Sequence, residues 1–497
     1  MGKGEGSSGG ASRQVEVERK FDVPDDLTDI VSPSFDGLKA IRHSERRPAV
    51  QLEAVYYDTA GGDLFANRIT LRRRTGGPDE GWHLKLPSTG EARTEVRSPL
   101  APDVPDALRD VVLAIVRDRP LVPTARLQTT RMVTVLHGED GVVAEFCDDQ
   151  VSAWRLDPGD GSAGELRRWR EWELELVGAG DDALLDRLGN RLLDAGAQPA
   201  GHGSKLAKAL GEVAPPAAAP PADPVHRAVA EQVARLLETD RAVRADAYDA
   251  VHQMRVATRQ IRSLLQASEE AFGLTDDAWI LGELRELAGI LGTARDAEVL
   301  AERYREALDA LPPDLVRGPV RQRLVDGAQR AYQAGWRRSV NAMRSARYFR
   351  LLDALDTLVV TQPAPESAGE PVTIASSYRK VRKKAKAAKA AEAGTAEEHD
   401  HAVHRIRKAA KRLRYVAAAT GHRSVERRAK EIQTLLGDHQ DSVVSRGHLL
   451  SQADAAHAAG EDTFTYGVLY QREWDLAQRC EERLGAALKA LRRSVRH

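Results

Sequence analysis

The segment "VAPPAAAPPADP" at residues 213–224 is the clearest boundary along the chain. Alternating Pro and Ala favours extended polyproline II and offers a core little to bury, so it reads as a semi-rigid spacer. Before it, polar and apolar residues alternate with period two. After it, apolar residues recur with period 3.6. The 497 residues are expected to form a flexible tail (1–13), a strand-rich domain (14–212), the linker, and a helical domain (225–497). A second break, "TQPAPESAGEP" at 361–371, splits the helical part into halves of about 226–360 and 374–497.

In the first part, "QVEVERKF", "ITLRRR", "GWHLKL", "RTEVRS", "RMVTVLHGEDGVVAEFCDD" and "WREWELELV" read as strands, with "HGEDG" as a hairpin turn. Many strands at short spacing suggest a sheet closed into a barrel. "DDALLDRLGNRLLDAG" at 181–196 has helical Leu spacing and a Gly stop.

The helical part repeats itself. "VHQMRVATRQIR" at 251–262 matches "VHRIRKAAKRLR" at 403–414, an offset of 152 positions. Val251, Met254, Thr258 and Ile261 form a stripe that returns as Val403, Ile406, Ala410 and Leu413. Each copy is followed by an "LG" with an Asp four residues beyond the Gly: Gly292 with Asp296, and Gly437 with Asp441. This is the signature of a duplicated helical bundle.

Beside the apolar stripe lie His252, Arg255, Arg259 and Arg262, within roughly 80° of one another on a helix. His404, Arg407, Lys411 and Arg414 repeat the pattern, with Lys408 beside them. Like charges at i, i+3 and i+4 repel, and neither segment contains an acid. An external polyanion would balance them; the alternative is a solvated basic face, or Arg residues paired with acids of a neighbouring helix. "SYRKVRKKAKAAK" at 377–389 adds to the cationic side. A His is a partial cation near neutral pH and could tune anion affinity. DNA readers need base-reading Asn and Gln, and RNA readers need aromatic stacking platforms. Aromatics are 5% of the chain, and neither row carries one before Tyr415. Cations with few base-reading groups suit a polymer that is all phosphate, and no specific nucleic acid is expected.

The net charge of −1 conceals an asymmetry. Residues 226–497 hold 45 Lys+Arg against 37 Asp+Glu, roughly +8, which leaves 28 against 37, roughly −9, for residues 1–225. In the acidic part, strand alternation puts Glu16, Glu18 and Lys20 on one face, and Glu171, Glu173 and Glu175 on another. Stacked carboxylates need counter-charges or hard divalent cations such as Mg²⁺ or Mn²⁺. Arg72 with Arg74, Lys85, and Arg93 with Arg97 supply cationic strands. The alternative for any one strand is an ordinary solvated face. Segregation of the two signs onto different strands favours an inward-facing metal–phosphate site.

Both parts resemble known families. The doubled motif, "VHQMRVATRQIRS" and "VHRIRKAAKRLRY" with "LGTARD" and "LGDHQD", resembles the CHAD domain, the conserved-histidine α-helical domain, over about 226–497. The resemblance implies two pseudo-symmetric four-helix bundles around a basic surface that binds inorganic polyphosphate. His252, Arg255, Arg259, Arg262, His404, Arg407, Lys408, Lys411 and Arg414 would line it. Gln260 stands where a second basic residue is common.

Glu16, Glu18 and Lys20 meet the Glu-x-Glu-x-Lys opening of the CYTH domain of triphosphate tunnel metalloenzymes. "TLRRR", "WHLKL", "RTEV", "TTRMV", "AEFCDD", "WELEL" and "GSKL" follow in family order across about 14–210. The resemblance implies a multidomain α+β chain whose first domain is an eight-stranded antiparallel β tunnel. It implies divalent-metal-dependent attack on a triphosphate. Glu16, Glu18, Asp149, Glu171 and Glu173, with Glu175 beyond them, would hold Mg²⁺ or Mn²⁺. Lys20, Arg72, Arg74, Lys85, Arg93, Arg131 and Lys205 would grip phosphates, and Glu16, Glu18 and Lys20 would be catalytic. Alternation from Glu145 favours Asp149 over Asp148 as the inward residue.

The reading is a metal-dependent triphosphatase, with tripolyphosphate as first substrate, joined to a polyphosphate-binding domain. A non-catalytic polyphosphate-binding protein, a thiamine triphosphatase and an adenylate cyclase are the alternatives. No run of about 18 apolar residues exists to span a membrane, and "MGKGEGSSGGASRQ" lacks a signal-peptide core. With only Cys147 and Cys480, the expected location is a reducing cytoplasm, open to association with polyphosphate granules.

Overall fold

The structure, a computed structural model, describes residues 12–24, 33–87, 92–177, 182–211, 223–267, 278–360, 373–391 and 395–495, with 221, 272 and 274 as isolated positions. Residues 1–11 of the expected tail, 213–220 of the linker and the break at 361–371 lie outside the described residues. Two boundaries shift. Ser12 and Arg13 already belong to the first strand, and Pro224 opens a helix that Asp223 caps by accepting from the His226 N–H.

The chain divides into two compact units, Met1–Ala250 with Met343–Val360, and Val251–Ala342 with Thr361–His497. The first contains strands β1 (Ser12–Val23), β2 (His43–Arg46), β3 (Val50–Asp58), β4 (Thr70–Thr75), β5 (Gly81–Lys85), β6 (Ala92–Ser98), β7 (Val122–His137), β8 (Val142–Leu156), β9 (Ala163–Leu176) and β10 (Gln198–Pro199). Eight of them pair antiparallel in the order β1-β6-β5-β4-β3-β7-β8-β9, and β9 pairs back onto β1, closing a barrel. β2 extends β7, and β10 extends β1.

Alternation decides what each wall shows. On β1, Phe21 and Val23 are buried on the outer side of the wall, while Glu16, Glu18 and Lys20 point into the barrel. The short helices are α1 (Asp63–Ala66), α2 (Asp106–Val116), α3 (Asp182–Asp194) and α4 (Lys205–Leu210). The Leu stripe of α3, residues 184, 185, 188 and 192, packs with Phe21, Phe146, Trp172 and Leu174 on the outside of the β1–β9 wall. Burying four Leu side chains there contributes roughly 1.5–3 kcal/mol each. Asp58 ends β3 and accepts from the backbone N–H groups of Thr59, Leu64 and Phe65, which fixes the start of α1. β3 and α2 are elements that period counting did not pick out.

The helices that follow are α5 (Pro224–Arg244), α6 (Ala250–Ala267), α7 (Trp279–Asp309), α8 (Gly327–Ala342), α9 (Ala346–Val360), α10 (Ile374–Ala391), α11 (Ala396–Ala419), α12 (Arg423–Ala458) and α13 (Phe464–Ser494). α5 and α9 belong to the barrel's unit, where α5 packs against α2. Arg117, at the end of α2, pairs with Asp353 at 2.7 Å and with Asp356 on α9. Buried Asp240 accepts from Arg244 Nε at 2.6 Å and from the Tyr348 hydroxyl at 2.9 Å.

In the second unit, α10 packs on α11, α11 on α12, and α12 on α13. Their shared core holds Val381, Val403, Ile406, Ala410, Leu413, Ile432, Leu436 and Leu491. A second core joins Tyr304 and Leu308 of α7 to Leu449 of α12 and Leu469 of α13, so the two sequence halves are welded together. Both stripes read from the repeat, 251/254/258/261 and 403/406/410/413, are buried; Thr258 satisfies its hydroxyl on the Met254 carbonyl. Among the described residues, no helix is long and apolar enough to cross a membrane. Both cysteines are free and buried.

Candidate active site and paired basic rows

The barrel interior is lined almost entirely by charged side chains. Register explains why charges of both signs line it. Across β1 and β9, Glu18 stands opposite Glu175 and Lys20 opposite Glu173; across β8 and β9, Asp149 stands opposite Glu171. Like charges directly opposite one another are unfavourable, so cations must enter from other strands.

Arg131 on β7 does so bidentately. Its Nε donates to Asp149 Oδ1 at 2.8 Å, and its Nη2 donates to Asp149 Oδ2 and Glu173 Oε2, both at 2.6 Å. Lys205 comes from α4. Ser204 caps that helix by accepting from the Ala207 N–H, which places Lys205 as its first residue. The ammonium stands 2.9 Å from Asp149 Oδ2, 2.5 Å from Glu171 Oε1 and 2.8 Å from Glu173 Oε1. Lys20 pairs with Glu18 at 3.0 Å and with Glu173. On the other side, Lys85 lies 2.5 Å from Glu16 and 3.6 Å from Glu18. Arg97 donates to Glu16 at 2.8 Å and to Glu95.

Burial opposes the charges of Glu18, Lys20, Asp149 and Glu173, and pairing overrides it. Burial disfavours ionised Glu18, yet Lys20 and Lys85 pull its pKa down to about 2. Burial likewise penalises Lys20, but Glu173 and Glu18 hold it above the ordinary lysine range. Asp149 and Glu173 are held low against burial, chiefly by Lys205 and by Lys20 respectively. Glu175 is the exception: burial, then the repulsion of Glu16, pushes it up to about 7. Burial pushes the Cys147 thiol, which points to the same interior, up to about 12.

The structure brings the expected tunnel residues together. Glu16, Glu18, Lys20, Arg72, Arg74, Lys85, Arg93, Arg131, Glu173, Glu175 and Lys205 line the cavity, with Arg93 also donating to the Gly203 carbonyl at 3.0 Å. Asp149 and Glu171 sit buried behind Lys205. Asp148 points the other way and pairs with Arg170 at 2.7 Å. Asp149, Glu171 and Glu173 offer carboxylate oxygens within 4.8 Å of one another. Three buried oxygen donors that already converge on one ammonium fit a hard divalent cation.

Sequence reasoning missed Glu95, Asp79, His83 and Tyr56. Glu95 is fully buried, accepts from His83 Nδ1 at 3.1 Å and lies 3.9 Å from Arg72. Asp79 pairs with Arg74. Burial would raise the Tyr56 pKa, but Arg72 lowers it. Glu95 had a signal, since it lies between inward Arg93 and Arg97 at period two.

In the helical unit, the two rows face one another. Arg259 loses basicity first to burial and then to Arg255, Arg407 and Arg262. Lys411 is lowered to about 8 by burial, then by Arg259, Arg407, Arg414 and Arg255. Cations of α6 and α11 thus crowd each other across the repeat. The rows are not wholly uncompensated, as their own segments suggested: Arg255 Nη1 reaches Asp296 at 3.3 Å, and Arg407 is felt by Asp441. The "LG…D" motif therefore has a physical reading. At Gly292 and Gly437 the guanidinium groups of Arg255 and Arg407 lie 3.5 Å from where a Cβ would stand, and the Asp one turn on supplies the counter-charge. Arg414 donates to Gln433 at 3.0 Å, and Lys408 is exposed. His404 is pushed below the ordinary histidine pKa by burial and then by Lys408 and Arg407.

The sequence matches the CYTH domain over residues 14–193 and the CHAD domain over residues 227–450. It is 60% identical over 506 residues to Uncharacterized protein Rv2226 of Mycobacterium tuberculosis (strain ATCC 25618 / H37Rv), covering 98% of both chains. Among solved structures, PptA from Streptomyces chartreusis is 19% identical with a TM-score of 0.45, covering 55% of this chain and 100% of that one. The CHAD domain from the plant Ricinus communis is 22% identical with a TM-score of 0.40, covering 54% and 90%.

Proposed function

The chain belongs to the family in which a CYTH domain is followed by a CHAD domain, and on that basis we propose that its tunnel hydrolyses a small triphosphate, tripolyphosphate first, while its helical half binds inorganic polyphosphate. The observation that carries the enzymatic reading is the buried triad Asp149, Glu171 and Glu173, facing a ring of Lys and Arg inside a closed barrel. A site built only to hold phosphate needs the cations and has no use for three desolvated carboxylates converging on one point.

Asp149, Glu171 and Glu173 would hold Mg²⁺ or Mn²⁺, with Glu16 and Glu18 as oxygen donors on the adjacent wall. When bound, the ion supplies charge neutralisation and Lewis-acid polarisation of a phosphoryl oxygen. Arg72, Arg74, Arg131 and Lys205 grip non-bridging oxygens, and the guanidinium forks fix their orientation. Lys20 and Lys85, paired with Glu16, Glu18 and Glu173, offset charge that develops on transferred and leaving oxygens. Glu16 and Glu18 orient the attacking water. The low-dielectric barrel strengthens each of these interactions relative to water.

The helical reading rests on the convergence of the Arg255/Arg259 and Arg407/Lys411 rows, whose mutual repulsion a polyanion relieves. The reading places the protein in the cytoplasm, at polyphosphate granules where these form. The test of the enzyme is phosphate release from tripolyphosphate, nucleoside triphosphates and thiamine triphosphate, with Mg²⁺ or Mn²⁺ and with EDTA. Metal-dependent release is expected from the wild type, lost in the double variant Glu16→Gln/Glu18→Gln. No release from any of these substrates would leave a binding protein instead.

A further inference from the structure

The paired rows leave one charged surface unused. α10 carries Arg379, Lys380, Arg382, Lys383, Lys384, Lys386 and Lys389, and no acid. Its inner side is committed: Val381 and Ala388 belong to the core, and Ile374, Tyr378 and Ala385 pack against it. Six of the seven cations are exposed, Lys384 being half-buried. Among the described residues none of the seven makes an ion pair or hydrogen bond. The helix that opens the other half, α5, shows that the fold does not require this: its cations alternate with Glu231, Glu238 and Asp240.

We infer that α10 is a second polyphosphate-binding segment, engaging the polymer separately from the paired rows; this rests on the polyphosphate reading above. Three features select the occupant. The seven cations rise over about 15 Å of helix, roughly one charge per 2 Å, matching a densely charged chain. At about 100° per residue they spread over some 220° of the helix surface, which a flexible single chain can follow and a rigid duplex cannot. No aromatic residue lies on the exposed side, so bases would find nothing to stack on. The apolar side is buried in the core, which leaves no wedge for a lipid surface.

The experiment compares long-chain polyphosphate binding to the full chain, at several salt concentrations, in four proteins. These are wild type, an α10 variant (Lys380, Arg382, Lys383, Lys386 and Lys389→Gln), a row variant (Arg255→Ala/Arg407→Ala), and both combined. The α10 variant is expected to lose about 100-fold in affinity for long chains through lost bivalency. Its dependence of log affinity on log salt should flatten by about 3. The row variant should retain salt-sensitive binding that the combined variant loses. Helix content and melting temperature report folding; exposed Lys→Gln changes that remove repulsion should not lower either. Unchanged affinity and slope in the α10 variant, alongside loss in the row variant, would overturn this inference and leave the rows standing. Residual binding in the row variant that vanishes only on combination supports α10 even if the rows contribute little. No binding by wild type overturns both. Tighter binding of single-stranded or duplex DNA than of polyphosphate, abolished by the same α10 changes, would replace the occupant and overturn the inference.

Discussion

Lys411 makes the basic rows sensitive to pH in a range where arginine is silent. In the free protein its pKa lies at about 8, lowered by burial and four neighbouring guanidinium groups. The sign follows from which form binds. The ammonium attracts a polyanion, and the polyanion screens the guanidinium groups and returns the lysine to its ordinary value of about 10.5 or higher. Raising the pH from 7 to 9 neutralises about ten-elevenths of Lys411 in the free protein but almost none in the complex. The polymer must then pull a proton onto Lys411 as it binds. Affinity should fall about tenfold, equivalent to roughly 1.4 kcal/mol, which is one unit of pH beyond the free pKa. In the free protein the same depression means that charged Lys411 disfavours the fold below about pH 8 and that this penalty fades as pH rises toward 10.5. The assay is polyphosphate binding by titration calorimetry at pH 7 and 9 with ionic strength held fixed, because screening alone changes affinity. Lys411→Arg keeps its charge throughout and should show a nearly flat profile. A flat wild-type profile, or a Lys411→Arg profile as steep as wild type, would refute the argument that the rows crowd this lysine.

Three further outcomes are expected. Lys205→Met leaves Asp149, Glu171 and Glu173 buried without their shared ammonium, so the apo barrel should lose about 3–5 kcal/mol of stability. Added Mn²⁺ should raise its melting temperature more than that of wild type, as differential scanning calorimetry would show. Gly437→Ala should leave binding intact and stabilise α12 by up to about 1 kcal/mol, because its Cβ would meet Arg407 at an ordinary 3.5 Å; Gly437→Leu should displace that guanidinium and weaken polyphosphate binding in the same titration. Asp240→Ala should cost about 3–5 kcal/mol in chemical denaturation, since it strands Arg244 and the Tyr348 hydroxyl in the interior of the barrel's unit.

The barrel was legible wherever strands carry chemistry on one face and a core on the other. Glu16, Glu18 and Lys20 announce themselves because Phe21 and Val23 fix the opposite wall, and a period of two leaves no other choice. β3 was not legible for the same reason in reverse. Its inward residues Leu52, Ala54 and Tyr56 are uncharged, and its outward face mixes Glu53 with Val55 and Tyr57, so no alternation stands out. Tyr56 was lost with it. Asp79 lies just after β4, and only the three-dimensional turn brings it to Arg74. Period counting has no means of placing a residue whose partner is set by a loop.

The helical rows show a different limit. All eight positions of the repeated stripe are buried, because burial on an amphipathic helix is local geometry. Charge balance is not local. Within "VHQMRVATRQIR" Arg255 looks unpaired; its Asp comes from α7, one turn beyond a glycine that leaves room for the guanidinium. The same arrangement around Arg407, Gly437 and Asp441 recurs on α11 and α12. Each half thus steadies one arginine with one acid and leaves the flanking Arg259 and Lys411 to repel each other across the repeat. A surface meant only to be solvated would gain by pairing these two as well. Residues held in register by an acid at one position and left uncompensated at the next are arranged for an anion that arrives from outside.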